Sequence, residues 1–352
     1  MSSLTEAQVE QALRGVTDPE IGRSLTDLQM IKKITCSAGK VSLQIELPTP
    51  AYPPPERITA AVKQALPGTD VQVEFSWNVK GKATGGRIGL QIKNVVAVGS
   101  GKGGVGKSTI AASLAYGLHL RGAKVGLMDA DIYGPSVPHI LGVNERPQIH
   151  EEAGPNGQTI RRIKPIEKDG LKVMSIGFLV NADEPIVVRG PILHRTITQF
   201  LEETLWGELD YLIIDMPPGT GDVSLTLSQL LGLAGGVIVC TPQQVALIDA
   251  VKALNMFRKV KIPALGIVEN MSGEIFGRGG ARKKAEEMQV PFLGEIPMDT
   301  NLRINCDEGR VRDNFAEGCP SREPLMRMCE QVAIQIAKSM LETPSMPTLE
   351  VM

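Results

Sequence analysis

The pattern of apolar and polar positions changes character about a quarter of the way along the chain. From Leu4 to Gly15 apolar residues recur at helical spacing, with Thr5 and Gln8 placed as a capping pair. Asp18-Pro19-Glu20 breaks that helix. Met30 to Ile34 and Lys40 to Leu47 then predict strands, the second alternating as Val41, Leu43, Ile45 and Leu47. A proline-rich turn over Pro48 to Pro55, a helix over Glu56 to Leu66 and an alternating strand over Asp70 to Trp77 complete a small α+β unit, residues 1–79. Gly81, Gly85 and Gly86 mark residues 80–92 as a linker.

Beyond the linker, alternation gives way to short, continuously apolar runs with helices between them. Val95 to Val98, Lys124 to Met128, Tyr211 to Ile214, Val237 to Cys240 and Ala264 to Val268 are such runs, and a helix is expected over Thr109 to Leu120. Strands buried on both faces and separated by helices imply an α/β domain over residues 93–341, with a doubly wound, mostly parallel sheet. Arg322 to Leu341 reads as a closing helix, and 342–352 as a frayed tail.

Composition narrows the partners. A net charge of −2 over 352 residues gives no electrostatic case for nucleic acid or an anionic membrane, and 4% aromatic residues offer few stacking platforms. Met1 to Glu6 carries neither a basic segment nor an apolar core, and no apolar stretch approaches the roughly 20 residues that span a bilayer. Five scattered cysteines (Cys36, Cys240, Cys306, Cys319 and Cys329) fit a reducing compartment. The expectation is a cytoplasmic protein.

The chemistry concentrates where the first apolar strand meets its helix. Gly101-Lys102-Gly103-Gly104-Val105-Gly106-Lys107-Ser108-Thr109 is a glycine-rich loop in the strand–loop–helix setting that wraps phosphate in backbone amides. This predicts ATP binding, with Lys107 on the β- and γ-phosphates and the Ser108 hydroxyl on Mg²⁺. Two strand-end acids complete the set. In Asp129-Ala130-Asp131, Asp131 is placed to orient an attacking water and Asp129 to lie nearer Mg²⁺. Asp215, closing Tyr211-Leu212-Ile213-Ile214, reads as the acid that holds Mg²⁺ through water. Met216-Pro217-Pro218-Gly219-Thr220-Gly221-Asp222 suits a switch loop whose Gly219 amide senses the γ-phosphate.

The second lysine of the loop, Lys102, makes it resemble the deviant Walker A loop of the MinD/ParA-like ATPases. There the extra lysine reaches a partner's phosphates, so the resemblance implies a homodimer with a site completed in trans and Lys102 as a catalytic residue. Asp129-Ala-Asp-Ile-Tyr-Gly-Pro-Ser136, Arg189-Gly-Pro-Ile192, Asp215-Met-Pro-Pro-Gly-Thr-Gly-Asp222, Thr241-Pro-Gln-Gln244, Val268-Glu-Asn-Met-Ser272 and Leu293-Gly-Glu-Ile-Pro297 are similar to phrases of the Mrp/ApbC iron–sulfur cluster carrier ATPases. That likeness covers residues 90–340. It implies iron–sulfur apoproteins or assembly factors as partners and Asn270 as the residue that reads adenine. Asp18-Pro19-Glu20, Leu25-Thr26-Asp27-Leu28 and Leu47-Pro48-Thr49-Pro50-Ala51 resemble the small metal–sulfur cluster assembly domain often fused ahead of such ATPases.

The chain departs from this pattern where a cluster would be held. The carrier family has a Cys-x-x-Cys pair after Asn-Met-Ser; here Asn270-Met271-Ser272 runs through Gly273-Glu274-Ile275 into Phe276-Gly277. The small-domain family has a cysteine after Thr-Pro-Ala; here Tyr52 stands there. An iron–sulfur cluster therefore has no identifiable ligands. Cys306, Cys319 and Cys329 read as structural thiols, Cys319 being best placed for ligation because it lies in a turn. The four histidines show no paired metal spacing. The leading expectation is an ATPase of cluster assembly or delivery. A positioning or partition switch like MinD or ParA is the alternative; it would need a basic amphipathic C-terminal helix or a basic patch, whereas the tail is only weakly basic and the net charge negative.

Overall fold

The computed structural model describes residues 4–37, 40–81, 90–153, 159–178, 190–219 and 222–342. Arg189, Thr220, Gly221, linker residues 82–89 and the tail from 343 onward lie outside the described residues. Two compact units emerge, one of residues 1–80 with 333–352, the other of residues 81–332.

In the small unit, α1 (Glu6–Leu13) starts on the capping box of Thr5 and Gln8. Strands β1 (Ile31–Ser37), β2 (Lys40–Leu47) and β3 (Asp70–Trp77) form a sheet in that order. β1 and β2 pair antiparallel; β2 and β3 pair parallel, joined through α2 (Glu56–Ala65). Alternation works as the sequence dictates, because Val41, Leu43, Ile45 and Leu47 all point into the core with Leu13, Ile58 and Val62. Asp18 is buried, accepts amide hydrogens from Glu20 and Ile21 at 2.9 and 2.8 Å, and is hydrogen-bonded by the Tyr52 hydroxyl.

The large unit opens with β4 (Ile92–Ser100), α3 (Lys107–Leu120), β5 (Val125–Asp129) and the short α4 (Val137–Ile140). A separate antiparallel hairpin, β6 (Gln148–Ala153) and β7 (Thr159–Lys164), precedes β8 (Ile166–Lys168) and β9 (Leu171–Ser175). Then follow α5 (Gly190–Glu203), β10 (Leu209–Asp215), α6 (Asp222–Leu230), β11 (Leu233–Cys240), α7 (Gln244–Lys259) and β12 (Ala264–Ser272). The chain closes with α8 (Gly280–Glu287), the last strand β13 (Phe292–Pro297), α9 (Thr300–Asp307) and α10 (Arg322–Glu342).

Among the described residues the main sheet runs β13-β12-β11-β4-β10-β5-β9-β8. Its pairs are parallel except β8 with β9. The apolar runs predicted from sequence are the middle of this sheet, and β10 and β11 are almost wholly buried because helices cover both faces. The strand order places β4 between β11 and β10, so chain connections diverge on either side of it. Such a divergence opens a crevice beyond the carboxyl ends of the strands, where ligands bind in open α/β sheets. The loop after β4 sits there. No described helix is long and apolar enough to cross a membrane.

Candidate nucleotide site

The loop from Gly101 to Gly106 leaves β4 and becomes the first turn of α3, which begins at Lys107, two residues before the sequence suggested. The early start follows from Gly106, whose φ of +79° caps the helix in a conformation that costs other residues roughly 1–2 kcal/mol. Two of the loop glycines are also dictated by close approach. A Cβ on Gly101 would stand 2.1 Å from the Asp249 carbonyl group in the backbone of α7, and one on Gly106 would stand 2.2 Å from Asn270 Nδ2. That same Asn270 amide donates to the Val105 carbonyl at 2.9 Å, tying β12 to the loop. Replacing Gly106 by alanine should therefore displace Asn270 as well as strain the backbone. The expected result is a drop in nucleotide affinity of about tenfold or more by calorimetry, from the roughly 1–3 kcal/mol such strain carries. Unchanged affinity would show that the loop relaxes freely.

Lys107 turns back under the loop and is buried among acids. Its Nζ lies 2.7 Å from Asp215 Oδ1 and 3.4 Å from Asp131 Oδ2, and donates to Ser108 Oγ at 3.3 Å. Asp215 is wholly buried at the end of β10. Burial raises its pKa, and the adjacent Lys107 ammonium opposes that rise. Asp215 Oδ2 and Asp131 Oδ1 are buried without a hydrogen-bond partner. Two unpartnered carboxylate oxygens beside a serine hydroxyl are the hard oxygen donors that suit Mg²⁺, so the residues fit that ion.

Asp129 ends β5, where the sequence placed it. It pairs with Asp215 across β5 and β10, yet both its oxygens are engaged from within the protein. Oδ1 accepts from the Asp131 amide at 3.1 Å; Oδ2 accepts from the Val137 amide at 3.2 Å and the Ser175 hydroxyl at 3.0 Å. Asp131, unlike Asp129, lines the cleft over the loop. Sequence placed Asp129 nearer Mg²⁺ than Asp131; in the structure its lone pairs hold Asp131 and the start of α4.

Burial, and then the nearby Asp215 charge, push the Asp129 carboxyl up to about 7. Folding thus favours the protonated acid, and the sign follows. Between about pH 4 and 7 the unfolded chain has released a proton that the folded chain keeps, so stability falls as pH rises through this window. In Asp129→Asn that contribution is absent. Melting temperatures from pH 4.5 to 8 should show wild type losing ground steadily against the variant, and parallel curves would refute the assignment.

The remaining predicted residues fall around the same loop. Lys102, Gly103, Gly104, Gly106, Lys107, Ser108 and Thr109 line a cleft of about 370 Å³ beside Asp131 and Pro218. Val105 is buried beneath it, and Gly101 is pinned against α7. The Gly219 amide donates to the Ser100 carbonyl at 2.9 Å, so sensing a phosphate there requires that bond to be exchanged. Asn270 lines a second, more apolar cleft of about 240 Å³ with Met271, Pro297, Met298 and Leu302.

Three features escaped the sequence reading. Ser175 anchors Asp129 from β9. Cys306 lines both clefts. Glu269, fully buried, accepts the Gly279 and Ala281 amides at 2.7 and 2.6 Å and so caps α8 with a carboxylate. Its one signal was a charged residue inside an otherwise apolar strand. Between Glu269 and α8, Gly273 and Gly277 exchange backbone hydrogen bonds of 2.9 and 2.8 Å. This closes a tight turn where the carrier family's cysteine pair would stand.

A strand that delivers a glycine loop to the sheet's switch point, with a lysine beneath it reaching strand-end acids, is built to grip a polyphosphate. The fold and site are those of a P-loop nucleotide-binding protein. More narrowly, the chain belongs to the NUBPL iron-transfer P-loop NTPase family, which it matches over residues 91–333, and residues 6–75 match the iron–sulfur cluster assembly protein family. It is 48% identical to an iron–sulfur cluster carrier protein of Deinococcus radiodurans, covering 85% of this chain and 86% of that one. To one of Synechocystis it is 41% identical, covering 96% and 99%. Among solved structures, a nucleotide-binding protein of Archaeoglobus fulgidus in complex with ADP aligns with a TM-score of 0.54 and 38% identity, covering 65% of this chain and 93% of that one. The cell division ATPase MinD of Pyrococcus furiosus aligns with a TM-score of 0.51 and 21% identity, covering 68% and 98%, a likeness of fold alone.

Proposed function

We propose that this chain binds and hydrolyses ATP as a homodimer and uses the cycle to assemble or deliver iron–sulfur clusters to apoproteins. The observation that carries the nucleotide half is the buried Lys107 ammonium held between Asp215 and Asp131 under the glycine loop. Family membership supports the iron–sulfur half, over both units. On arrival of a triphosphate, Lys107 would exchange its carboxylate partners for phosphate oxygens. Ser108 and Asp215 would hold Mg²⁺, which when bound neutralises charge on the β- and γ-phosphates. Asp131, facing the cleft, would orient water, and Asp129 would keep Asp131 in place. Lys102, only partly buried, lines the same cleft, which suits a lysine that contacts a partner's nucleotide.

A family member without the cysteine pair at residues 273–277 acts here as the ATP-driven part of delivery and does not bridge a cluster at that turn. The reading is tested by activation of an apo-enzyme that accepts a [4Fe–4S] cluster, with a separate cluster donor present. Wild type plus MgATP should accelerate activation, and Lys107→Ala should not. If wild type leaves the rate unchanged with and without ATP, the assembly reading falls while ATP turnover, measured separately, stands or falls by itself.

A further inference from the structure

The two clefts share three lining residues: Thr109, Cys306 and Asp307. Phosphates seated on Gly103 to Ser108 and a base seated beside Asn270 belong to one nucleotide only if its sugar crosses those three. Cys306 is the one to examine. It lies buried in the last turn of α9, where its sulfur accepts from Asn314 Nδ2 at 3.7 Å and shares the lining of both clefts with Thr109. Asn314 is itself held by Asn305 Nδ2 at 2.9 Å, so the thiol has a fixed position. Of the five cysteines, no other lines either cleft among the described residues.

We infer that Cys306 forms the floor of the sugar subsite, so that nucleotide binding and modification of this thiol exclude one another. The inference rests on the nucleotide-site reading above and adds to it a positioning residue with a regulatory consequence. A bound nucleoside diphosphate covers the sulfur. A group attached to the sulfur occupies the region where the linings of the two clefts meet. By linkage the exclusion is reciprocal: whatever factor the nucleotide imposes on thiol reactivity, the modified thiol imposes on nucleotide affinity. Any thiol-directed modifier small enough to enter the base-side cleft would thereby switch the ATPase off.

The test uses the full chain, MgADP so that no turnover intervenes, and N-ethylmaleimide. The thiolate sulfur adds to the maleimide double bond, forming one C–S bond, and the neighbouring ring carbon takes a proton from water; nothing leaves. Burial holds the Cys306 thiol up to about 11, so labelling is slow and is followed by peptide mass spectrometry over hours at pH 8. Saturating MgADP should slow Cys306 labelling by roughly tenfold or more, within the range ordinary site coupling produces. Cys36 and Cys319, both partly exposed, should keep their rates. ADP binding is measured alongside by calorimetry. Binding without protection overturns the inference and leaves the nucleotide site intact, whereas no binding overturns the site itself. Failure of Cys306 to label in nucleotide-free protein also overturns it. As a second arm, Cys306→Phe should weaken ADP binding by a similar factor with an unchanged far-ultraviolet spectrum, and undiminished affinity counts against the subsite. Should that variant misfold, the labelling arm decides.

Discussion

Replacing Lys107 with alanine is expected to lower ATP turnover by at least about a hundredfold, the scale on which a single preorganised charge partner for a reacting oxyanion is felt. The variant should also be less stable. Lys107 lies between two acids, one wholly buried, and its removal leaves their charges uncompensated. Breaking a buried ion pair in this way costs about 3–5 kcal/mol. The two effects separate cleanly in Lys107→Ala combined with Asp215→Asn, which removes the orphaned charge along with the ammonium. Thermal unfolding of the double variant should recover most of the lost stability while phosphate release stays at the single-variant level. Turnover that recovers with stability would mean that Lys107 acts through folding, and undiminished turnover in the single variant would refute its role outright.

The parts of the site that could be read from sequence are those a local phrase encodes. Lys107, Ser108 and Asn270 follow from short segments whose geometry is set by their own strand and helix. Asp215 was legible because an apolar strand buried on both faces must end somewhere, and an acid at that end faces the crevice. The hydrogen-bond partners of Asp129 are not legible, for the converse reason. Its partners are Ser175 on β9 and Val137 at the start of α4, and no spacing within Asp129-Ala130-Asp131 shows which carboxylate those donors will capture. Cys306 reads from sequence as a structural thiol because Thr109, which lines the same two clefts, is remote in sequence.

The fold divides along a similar line. Alternation exposed β2, and continuous apolar runs exposed the centre of the large sheet. The hairpin of β6 and β7 has neither pattern: every residue of Gln148 to Ala153 is exposed. Its strands are matched instead by cross-strand charge, with Glu151 opposite Arg161 and their side chains 3.5 Å apart. Exposed pairs of this kind contribute little each, so they leave almost no mark on a hydrophobic profile.

Anaerobic reconstitution of the isolated protein with iron and sulfide is expected to yield iron and acid-labile sulfide no higher than a cysteine-free control. Iron–sulfur clusters require thiolates, and three of the five cysteines here are buried where a thiolate is disfavoured. Burial pushes the Cys240 thiol up to about 12 and the Cys306 thiol up to about 11, and it raises Cys329 as well. Cys36 and Cys319 remain, one on a strand of the small unit and one in the turn before α10. No group of three or more metal-ligating side chains forms among the described residues. At the turn that replaces the cysteine pair, Ile275 stands 77% exposed, an apolar tip held by the Gly273–Gly277 bonds and by Glu269 behind them. An isoleucine side chain has no donor atom to offer iron. Stoichiometric iron and sulfide per dimer, with charge-transfer absorption that disappears in Cys319→Ser, would overturn this expectation. It would place a bridging cluster between the Cys319 thiolates of two copies of the chain.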